Sequence, residues 1–198
     1  MKFNMMKVEI LEFAEGAKKA KGVTVIIDVF RAFSTACYAF ESGAIRLITT
    51  SDINKAFALK KSYRHSVLVG ERDERKIEGF DFGNSPTEII KADLQGMTVI
   101  QTTTAGTGGL ASAAGADIVI TGSIVNASAV VKYIKAVNPA IVSLVAMGYR
   151  ATISADEDLL CADIIRSGLT GIQKDFQKDI SALRHGSGKR FFDPANID

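Results

Sequence analysis

Residues 23–35 read VTVIIDVFRAFST and carry the pattern that decides the fold. The run Val23–Ile27 consists only of apolar or β-branched residues, Asp28 follows it, and a segment of helical length begins at Ala32. A bare β-branched run of this length is typical of a strand that is covered on both faces, as in a parallel sheet flanked by helices. The stretch therefore predicts a buried strand, a loop and a helix.

The same alternation of apolar runs and amphipathic segments continues along the chain and predicts an α/β protein. We expect strands near Lys7–Phe13, Val23–Val29, Ile45–Thr50, Ser66–Val69, Met97–Thr102, Asp117–Thr121 and Ala140–Val145. We expect helices near Ala32–Glu41, Asp52–Lys61, Pro86–Ala92, Thr107–Ala114, Ile124–Ala136, Ala155–Ser167 and Ile172–Arg184. Gly43 and Gly115 are predicted to end helices in the left-handed conformation, and Ser51 and Ser123 to cap the helices that follow. No Pro- or Ser-rich linker interrupts the pattern, so residues 1–198 are predicted to form one domain.

A weak internal similarity relates two parts of the chain. Thr24 aligns with Thr98 at an offset of 74, and Gly43-Ala44 aligns with Gly115-Ala116 at an offset of 72. Both parts read strand, loop, helix, Gly-Ala, strand, Ser, helix. Either they are two copies of one β-α-β-α unit or they resemble each other only as any two such units do.

Composition excludes several classes of protein. The chain has 198 residues, 47% of them hydrophobic, and a formal net charge of +2, so neither disorder nor a bulk nucleic-acid-binding surface is expected. Its longest apolar runs are far shorter than the ~20 residues of a membrane span. Residues 1–22 lack the pattern of a signal peptide. Cys37 and Cys161 are predicted to be unpaired thiols, which suits a reducing cytoplasm.

Two polar loops follow predicted strands. In the first, Asp28 ends a buried strand, Arg31 follows, and Ser34 and Thr35 open a helix where an anion would be favoured. In the second, Thr102, Thr103, Thr104, Gly106 and Thr107 offer hydroxyls and a flexible backbone to an oxyanion. Open α/β sheets bind ligands at the carboxyl ends of their strands. A capped helix and a threonine-rich turn without a ligand are the structural alternatives.

Two further segments carry charge. Glu71 follows a predicted strand and Arg72 follows Glu71, while Asn84 or Ser85 precedes Pro86 at the start of a helix. Part of this segment is equally explained as a charged surface loop. The run Asp156-Glu157-Asp158 lies in the first turn of a predicted helix, where the helix dipole favours carboxylates and where hard oxygen ligands would also suit Mg²⁺.

Together these segments resemble the 2-phosphosulfolactate phosphatase family. The resemblance rests on D-x-x-R-A-x-S-T from Asp28, G-E-R from Gly70, K-I-x-G-F-D-x-G-N-S-P from Lys76, T-T-T-x-G-T from Thr102 and E-D-x-x-C-A from Glu157. It spans about Val23 to Ala162. The chain departs from the family pattern at Ala105, where the family usually has Asn, and at Phe33, where it usually has Thr. Its tail, Ser187-Gly-Lys-Arg-Phe-Phe, is shorter than in the family.

The resemblance implies a three-layer α/β/α fold with a largely parallel sheet. It also implies a Mg²⁺-dependent phosphatase that converts 2-phosphosulfolactate, or a similar small anionic phosphorylated hydroxy acid, to the free hydroxy acid in coenzyme M biosynthesis. We expect a cytoplasmic enzyme with a small organophosphate substrate and no nucleic-acid or membrane partner; whether it forms a homo-oligomer stays open.

The residues of the two loops and the two charged segments are assigned roles on this basis. Catalysis is assigned to Asp28, Arg31 and Glu71, and metal binding to Asp28, Glu71, Glu157 and Asp158. Substrate binding is assigned to Arg31, Ser34, Thr35, Arg72, Asn84, Ser85, Thr102, Thr103, Thr104, Gly106, Thr107 and Ser123. One alternative is a haloacid-dehalogenase-type aspartyl phosphatase, which would need an Asp where Phe30 stands. The other is a non-catalytic anion-binding module.

Overall fold

The computed structural model describes residues 6–172 and 174–192. The strands are β1 Lys7–Glu12, β2 Val23–Ile27, β3 Arg46–Thr49, β4 Ser66–Arg72, β5 Arg75–Lys76, β6 Thr98–Thr102, β7 Ile118–Gly122 and β8 Ile141–Ala146. The α-helices are α1 Phe13–Lys19, α2 Ala32–Glu41, α3 Ile53–Ser62, α4 Pro86–Ile89, α5 Gly106–Ser112, α6 Ala127–Val137, α7 Asp156–Thr170 and α8 Gln177–Leu183. Short 3₁₀ segments cover Ile124–Asn126 and Ser187–Phe192. The predicted α/β class is confirmed.

The helix α1 and the strand β5 were not predicted from the sequence. The prediction for the first strand ran on to Phe13, but the strand ends at Glu12 and α1 begins. This helix has only seven residues and contains Gly16, a poor helix former. Gly16 lies so close to Leu11 that a Cβ at this position would be 2.9 Å from the Leu11 Cβ. Tertiary packing rather than local propensity therefore explains α1.

The strands form two sheets rather than a single one. The first sheet has the order β1-β8-β2-β7, and all of its pairs are parallel. The second has the order β3-β6-β4-β5, in which only the short β5 is antiparallel to its neighbour. The prediction of largely parallel strands is confirmed. The structure differs from the prediction in that the strands are divided between two sheets.

The central strand β2 is buried along its whole length because helices cover both of its faces. Val23, Val25 and Ile27 pack with residues of α6 and α7, and Ile26 packs with residues of α1 and α2. This two-sided burial explains why the sequence of β2 lacks polar alternation.

The strand order relates the two similar parts of the chain. The unit β2-α2-β3-α3-β4 contributes β2 to the first sheet and β3 and β4 to the second. The unit β6-α5-β7-α6-β8 contributes β6 to the second sheet and β7 and β8 to the first. Exchanging the two units therefore converts the order β7-β2-β8 into β3-β6-β4. The weak sequence similarity thus has a topological counterpart. In each unit the second and third strands lie in the sheet that contains the first strand of the other unit.

The predicted helix ends are corrected at three places. Gly43 is left-handed with φ of 97°, as predicted, but Gly115 is not, because α5 ends at Ser112 and Gly115 lies in the next turn. The cap of α3 is Asp52 instead of Ser51, since the Asp52 carboxylate accepts hydrogen bonds from the backbone N–H groups of Asn54 and Lys55. Of the predicted last helix Ile172–Arg184, only Gln177–Leu183 is helical, and position 173 lies outside the described residues.

The prediction for the two cysteines is confirmed. Cys37 and Cys161 are both unpaired thiols. Over residues 6–172 and 174–192, none of the helices is both long and apolar enough to span a bilayer.

Candidate active site

Asp28 is the buried carboxylate at the end of β2, and only 7% of the residue is exposed. Its Oδ1 accepts a hydrogen bond of 3.0 Å from the backbone N–H of Ala32, at the start of α2. Gly106 of α5 approaches from the other sheet, and a Cβ there would lie 2.9 Å from Oδ2 of Asp28. Burial is the largest influence on the pKa of Asp28 and, with the charges of Glu71 and Glu157, raises it to about 6.

The threonine loop after β6 holds a carboxylate of the protein itself. Thr104 donates its backbone N–H to Oε1 of Glu71 at 2.6 Å and its hydroxyl to Oε2 at 3.1 Å. Oε2 also accepts from the backbone N–H of Glu74 at 2.9 Å. Thr103 and Thr107 bond to each other, because each hydroxyl accepts from the other residue's backbone N–H. The N–H groups of Thr103, Thr104 and Thr107, which we expected to help hold phosphate, are therefore engaged within the protein.

The two adjacent acids at the start of α7 have different surroundings. Asp158 accepts from the backbone N–H of Val29 with Oδ1 and from that of Gly148 with Oδ2, both at 2.8 Å. Burial, followed by the charge of Asp28, raises the pKa of Asp158 well above its usual value. Glu157 is only 2% exposed, and its Oε2 has no hydrogen-bond partner in the described part of the chain. Both oxygens of Asp158 thus accept from backbone donors, whereas Oε2 of Glu157 accepts from none in the described residues.

The four carboxylates predicted to bind Mg²⁺ do not form a single cage. Within the described ranges, no three or more Asp, Glu, His or Cys side chains lie close enough together to hold a metal ion. Mg²⁺, however, is commonly held by one or two carboxylates together with waters and substrate phosphate. Asp28 and Glu157 fit this pattern, since Glu157 is buried with an unpartnered oxygen and its charge helps to raise the pKa of Asp28. Glu71 and Asp158 fit less well, because backbone N–H groups bind both of their oxygens.

Several residues predicted to bind substrate instead support the loops. The hydroxyls of Ser34 and Ser123 lie 2.7 Å apart, and Ser34 also donates to the carbonyl of Val29. The guanidinium of Arg72 donates to the carbonyl of Ser51 at 2.6 Å and to that of Glu71. Ser34 and Ser123 thus join the loop of Asp28 to the end of β7, and Arg72 joins the segment of Glu71 to the residues after β3.

Two other predicted residues, Thr35 and Thr102, are buried in the interior. Both are at most 1% exposed, and no hydrogen-bond partner for their hydroxyl oxygens lies within the described residues.

Comparison with known proteins assigns the chain to a family. A family model described as 2-phosphosulpholactate phosphatase matches residues 10–186. The chain belongs to this family. A probable 2-phosphosulfolactate phosphatase of Caldanaerobacter subterraneus subsp. tengcongensis is 40% identical over 163 residues, which are 81% of this chain and 66% of the relative. A protein with the same name from Carboxydothermus hydrogenoformans is 42% identical over 67% of this chain and 56% of its own length. Another, from Deinococcus radiodurans, is 36% identical over 84% of this chain and 71% of its own length. The chain thus spans less than two thirds of the first two relatives.

The family motifs surround two neighbouring spaces that share lining residues. A small cavity of about 50 Å³ is lined by Asp28, Glu71, Thr104 and Ala105, among others. A larger pocket of about 740 Å³ is lined by Ser85, Arg190 and Phe191, among others. Arg31 and Asn84 line both spaces. The motifs that resemble the family therefore place a buried carboxylate in a small cavity that adjoins a pocket containing arginines.

Several residues that line this site, among them Arg190, Phe191 and Tyr149, were not predicted to be functional. Arg190 and Phe191 come from the 3₁₀ segment near the end of the chain, and Tyr149 follows β8. Tyr149 donates its hydroxyl to Oε2 of Glu74 at 3.4 Å. The tail motif Ser187-Gly-Lys-Arg-Phe-Phe was a usable signal for Arg190 and Phe191. The residue types around Tyr149 carried none.

Proposed function

We propose that this chain is a Mg²⁺-dependent phosphatase that hydrolyses 2-phosphosulfolactate, or a similar small anionic phosphorylated hydroxy acid. The observation that carries the proposal is the buried Asp28 carboxylate in a cavity that shares Arg31 with the pocket of Arg190. Family membership supports the same reaction, because the relatives are named as probable 2-phosphosulfolactate phosphatases.

The proposed reaction breaks the bond between phosphorus and the oxygen of the hydroxy acid. Water supplies a hydroxyl to phosphorus and a proton to the leaving oxygen, which yields phosphate and the free hydroxy acid. Transition states of this kind carry charge on the phosphoryl oxygens, so positioned cations lower the barrier. Arg31 is the cation that lines both spaces, and it would neutralise the phosphate that enters the cavity.

Asp28 and Glu157 are the residues that would hold Mg²⁺. When bound, the ion would neutralise phosphoryl oxygens and favour ionisation of water. Asp28 is also the best-placed group for a direct attack on phosphorus. Glu71 would have a different role, because it is bonded to Thr104 and Glu74 and so fixes the threonine loop next to Asp28.

The setting of the reaction is part of the proposal. Both cysteines are unpaired thiols, which is typical of a reducing compartment and supports a cytoplasmic enzyme. By resemblance to the family, the sulfolactate produced would enter coenzyme M biosynthesis.

The decisive experiment measures Mg²⁺-dependent phosphate release from small phosphorylated hydroxy acids, 2-phosphosulfolactate included. Asp28→Asn should lower kcat by about 100-fold or more, on the order of 3 kcal/mol of barrier. The matched control is Asp117→Asn, because Asp117 is exposed and precedes β7 at the opposite end of the strands. Tight anion binding without turnover would favour the anion-binding module, and full activity of a folded Asp28→Asn variant would refute the role of Asp28.

A further inference from the structure

Two arginines from distant parts of the chain make cation–π contacts with the same aromatic ring. The Cζ atom of Arg31 lies 5.1 Å from the centroid of the Phe191 ring, and the Cζ atom of Arg190 lies 4.6 Å from it. Phe30 packs against the same ring edge-on, with the ring centroids 5.4 Å apart and an interplanar angle of 77°. Phe191 therefore connects the tail segment to the loop that carries Asp28.

The close approach of the tail segment to this loop depends on Gly188. A Cβ at Gly188 would lie 2.7 Å from the carbonyl oxygen of Leu183 and 3.3 Å from the ring of Phe30. Only glycine allows the backbone to pass at this distance. The packing thus places residues 190 and 191 at the mouth of the candidate site.

The guanidinium of Arg190 is held in a defined position. Its Nε lies 2.9 Å from Oε1 of Glu74, and its Nη1 donates to the carbonyl of Ser187 at 2.9 Å. The group also lies over the ring of Tyr149, with 5.2 Å between Cζ and the centroid. A guanidinium has five N–H donors. Within the described residues Nη1 makes a hydrogen bond, whereas Nε forms an ion-pair contact with Glu74 without hydrogen-bond geometry. Arg190 is therefore oriented in advance and retains donors for a ligand.

The position of Arg190 relative to Asp28 indicates what it would bind. Arg31 lines both the cavity of Asp28 and the larger pocket, whereas Arg190 lines the larger pocket beyond it. A phosphate at Asp28 would meet Arg31 first, and an acidic group on the same small molecule would extend toward Arg190. A planar guanidinium suits the paired oxygens of a carboxylate or a sulfonate.

We propose that Arg190, held by Glu74 and Phe191, is a specificity-determining residue that binds the non-phosphate acidic group of the substrate. This inference rests on the proposed phosphatase function, and it names the substrate class as organophosphates that bear a second acid group. It derives from the contacts of this chain, since the family match ends at residue 186.

The test compares substrates that differ only in their acid groups. These are 2-phosphosulfolactate, 2-phospholactate without the sulfonate, 2-(phosphonooxy)propane-1-sulfonate without the carboxylate, and isopropyl phosphate without either. In Arg190→Gln, the ratio of kcat/KM for 2-phosphosulfolactate to that for isopropyl phosphate should fall about 10- to 100-fold, as expected for loss of a charged hydrogen bond. Arg190→Lys should recover part of this ratio. Whichever single-acid substrate shows the same fall identifies the group bound, sulfonate or carboxylate.

The matched control is Lys189→Gln, since Lys189 is an exposed cation of the same segment, and its ratio should stay at the wild-type value. Calorimetric titration with sulfolactate, which has no phosphate, measures binding independently of turnover. If no phosphate ester is hydrolysed but sulfolactate binds in an Arg190-dependent way, the proposed function fails and the role of Arg190 stands. If a folded Arg190→Gln variant keeps the wild-type ratio and the wild-type affinity for sulfolactate, the role of Arg190 is refuted.

Discussion

Asp158 accepts a hydrogen bond of 2.8 Å from the backbone N–H of Val29, a residue 129 positions away in the sequence. Its second oxygen accepts from the N–H of Gly148. One carboxylate of α7 thus joins the ends of β2 and β8, directly beside Asp28. Asp158 therefore acts as a support of the site in this structure, although the sequence alone suggested a metal ligand.

The substitution Asp158→Asn tests this support. An amide oxygen replaces only one of the two acceptors, and the new NH₂ group would face a backbone N–H. Leaving such a buried donor unpaired costs about 1–3 kcal/mol. Removal of the charge, whose burial raises the pKa of Asp158, offsets part of this cost, and we expect a net fall in the free energy of unfolding. Urea unfolding measures it, with Asp163→Asn as the control on the outer part of the same helix. Equal stability of the Asp158→Asn variant and the wild type would contradict the supporting role.

The neighbouring substitution Glu157→Gln should behave in the opposite way. Because Oε2 of Glu157 is buried without a donor, removing the charge should leave the metal-free protein at least as stable as the wild type. If Glu157 holds Mg²⁺, the affinity for Mg²⁺ should fall about tenfold or more. The shift of the melting temperature with added Mg²⁺ measures this affinity. An unchanged shift would remove Glu157 from the metal site.

The raised pKa of Asp28 predicts a pH dependence of stability. Since its pKa rises from 3.8 to about 6 on folding, the folded state holds more protons than the unfolded state between these values. The contribution of Asp28 to the free energy of unfolding is therefore greatest below pH ~4. It falls by up to roughly 3 kcal/mol as the pH rises through 6. Asn does not titrate.

Urea unfolding in EDTA at pH 4 and at pH 7 checks this dependence. Between pH 4 and pH 7 the wild type should lose up to roughly 3 kcal/mol of unfolding free energy relative to Asp28→Asn, whose residue 28 does not titrate. Parallel pH profiles of the two proteins would show that the pKa of Asp28 is not raised.

Ala105 stands in the cavity of Asp28 at the position where the family usually has Asn. An amide there could donate one hydrogen bond to a charged phosphate, worth roughly 1.5–3 kcal/mol. We expect Ala105→Asn to raise kcat/KM on a phosphorylated hydroxy acid by about tenfold or more. Ala105→Leu is the control, because it fills the space without a donor. If both variants lose activity alike, the cavity of this chain is adapted to Ala105.

Much of the framework could be predicted from residue patterns. The strand β2 and the helices around it were predictable because burial on both faces leaves a continuous apolar run. Asp28 and Glu71 were predicted to converge because the ends of parallel strands meet at one edge of a sheet. They do line one cavity, but β2 and β4 lie in different sheets, so the placement of the two sheets brings them together. By contrast, the short α1 and β5 leave no periodic signal, and packing against other elements holds them in place.

Contacts between distant residues followed from the tertiary structure alone. The first turn of a helix favours a carboxylate at each of residues 157 and 158. Only the packing of α7, however, gives Asp158 two backbone donors and leaves Glu157 with an unpartnered oxygen. The N–H of Thr104 has the chemistry to bind phosphate, yet here it binds Glu71. Residue types state which hydrogen bonds a group can make. Which partner it receives depends on the position of backbone atoms far away in the chain, because hydrogen bonds weaken within tenths of an ångström and a few tens of degrees.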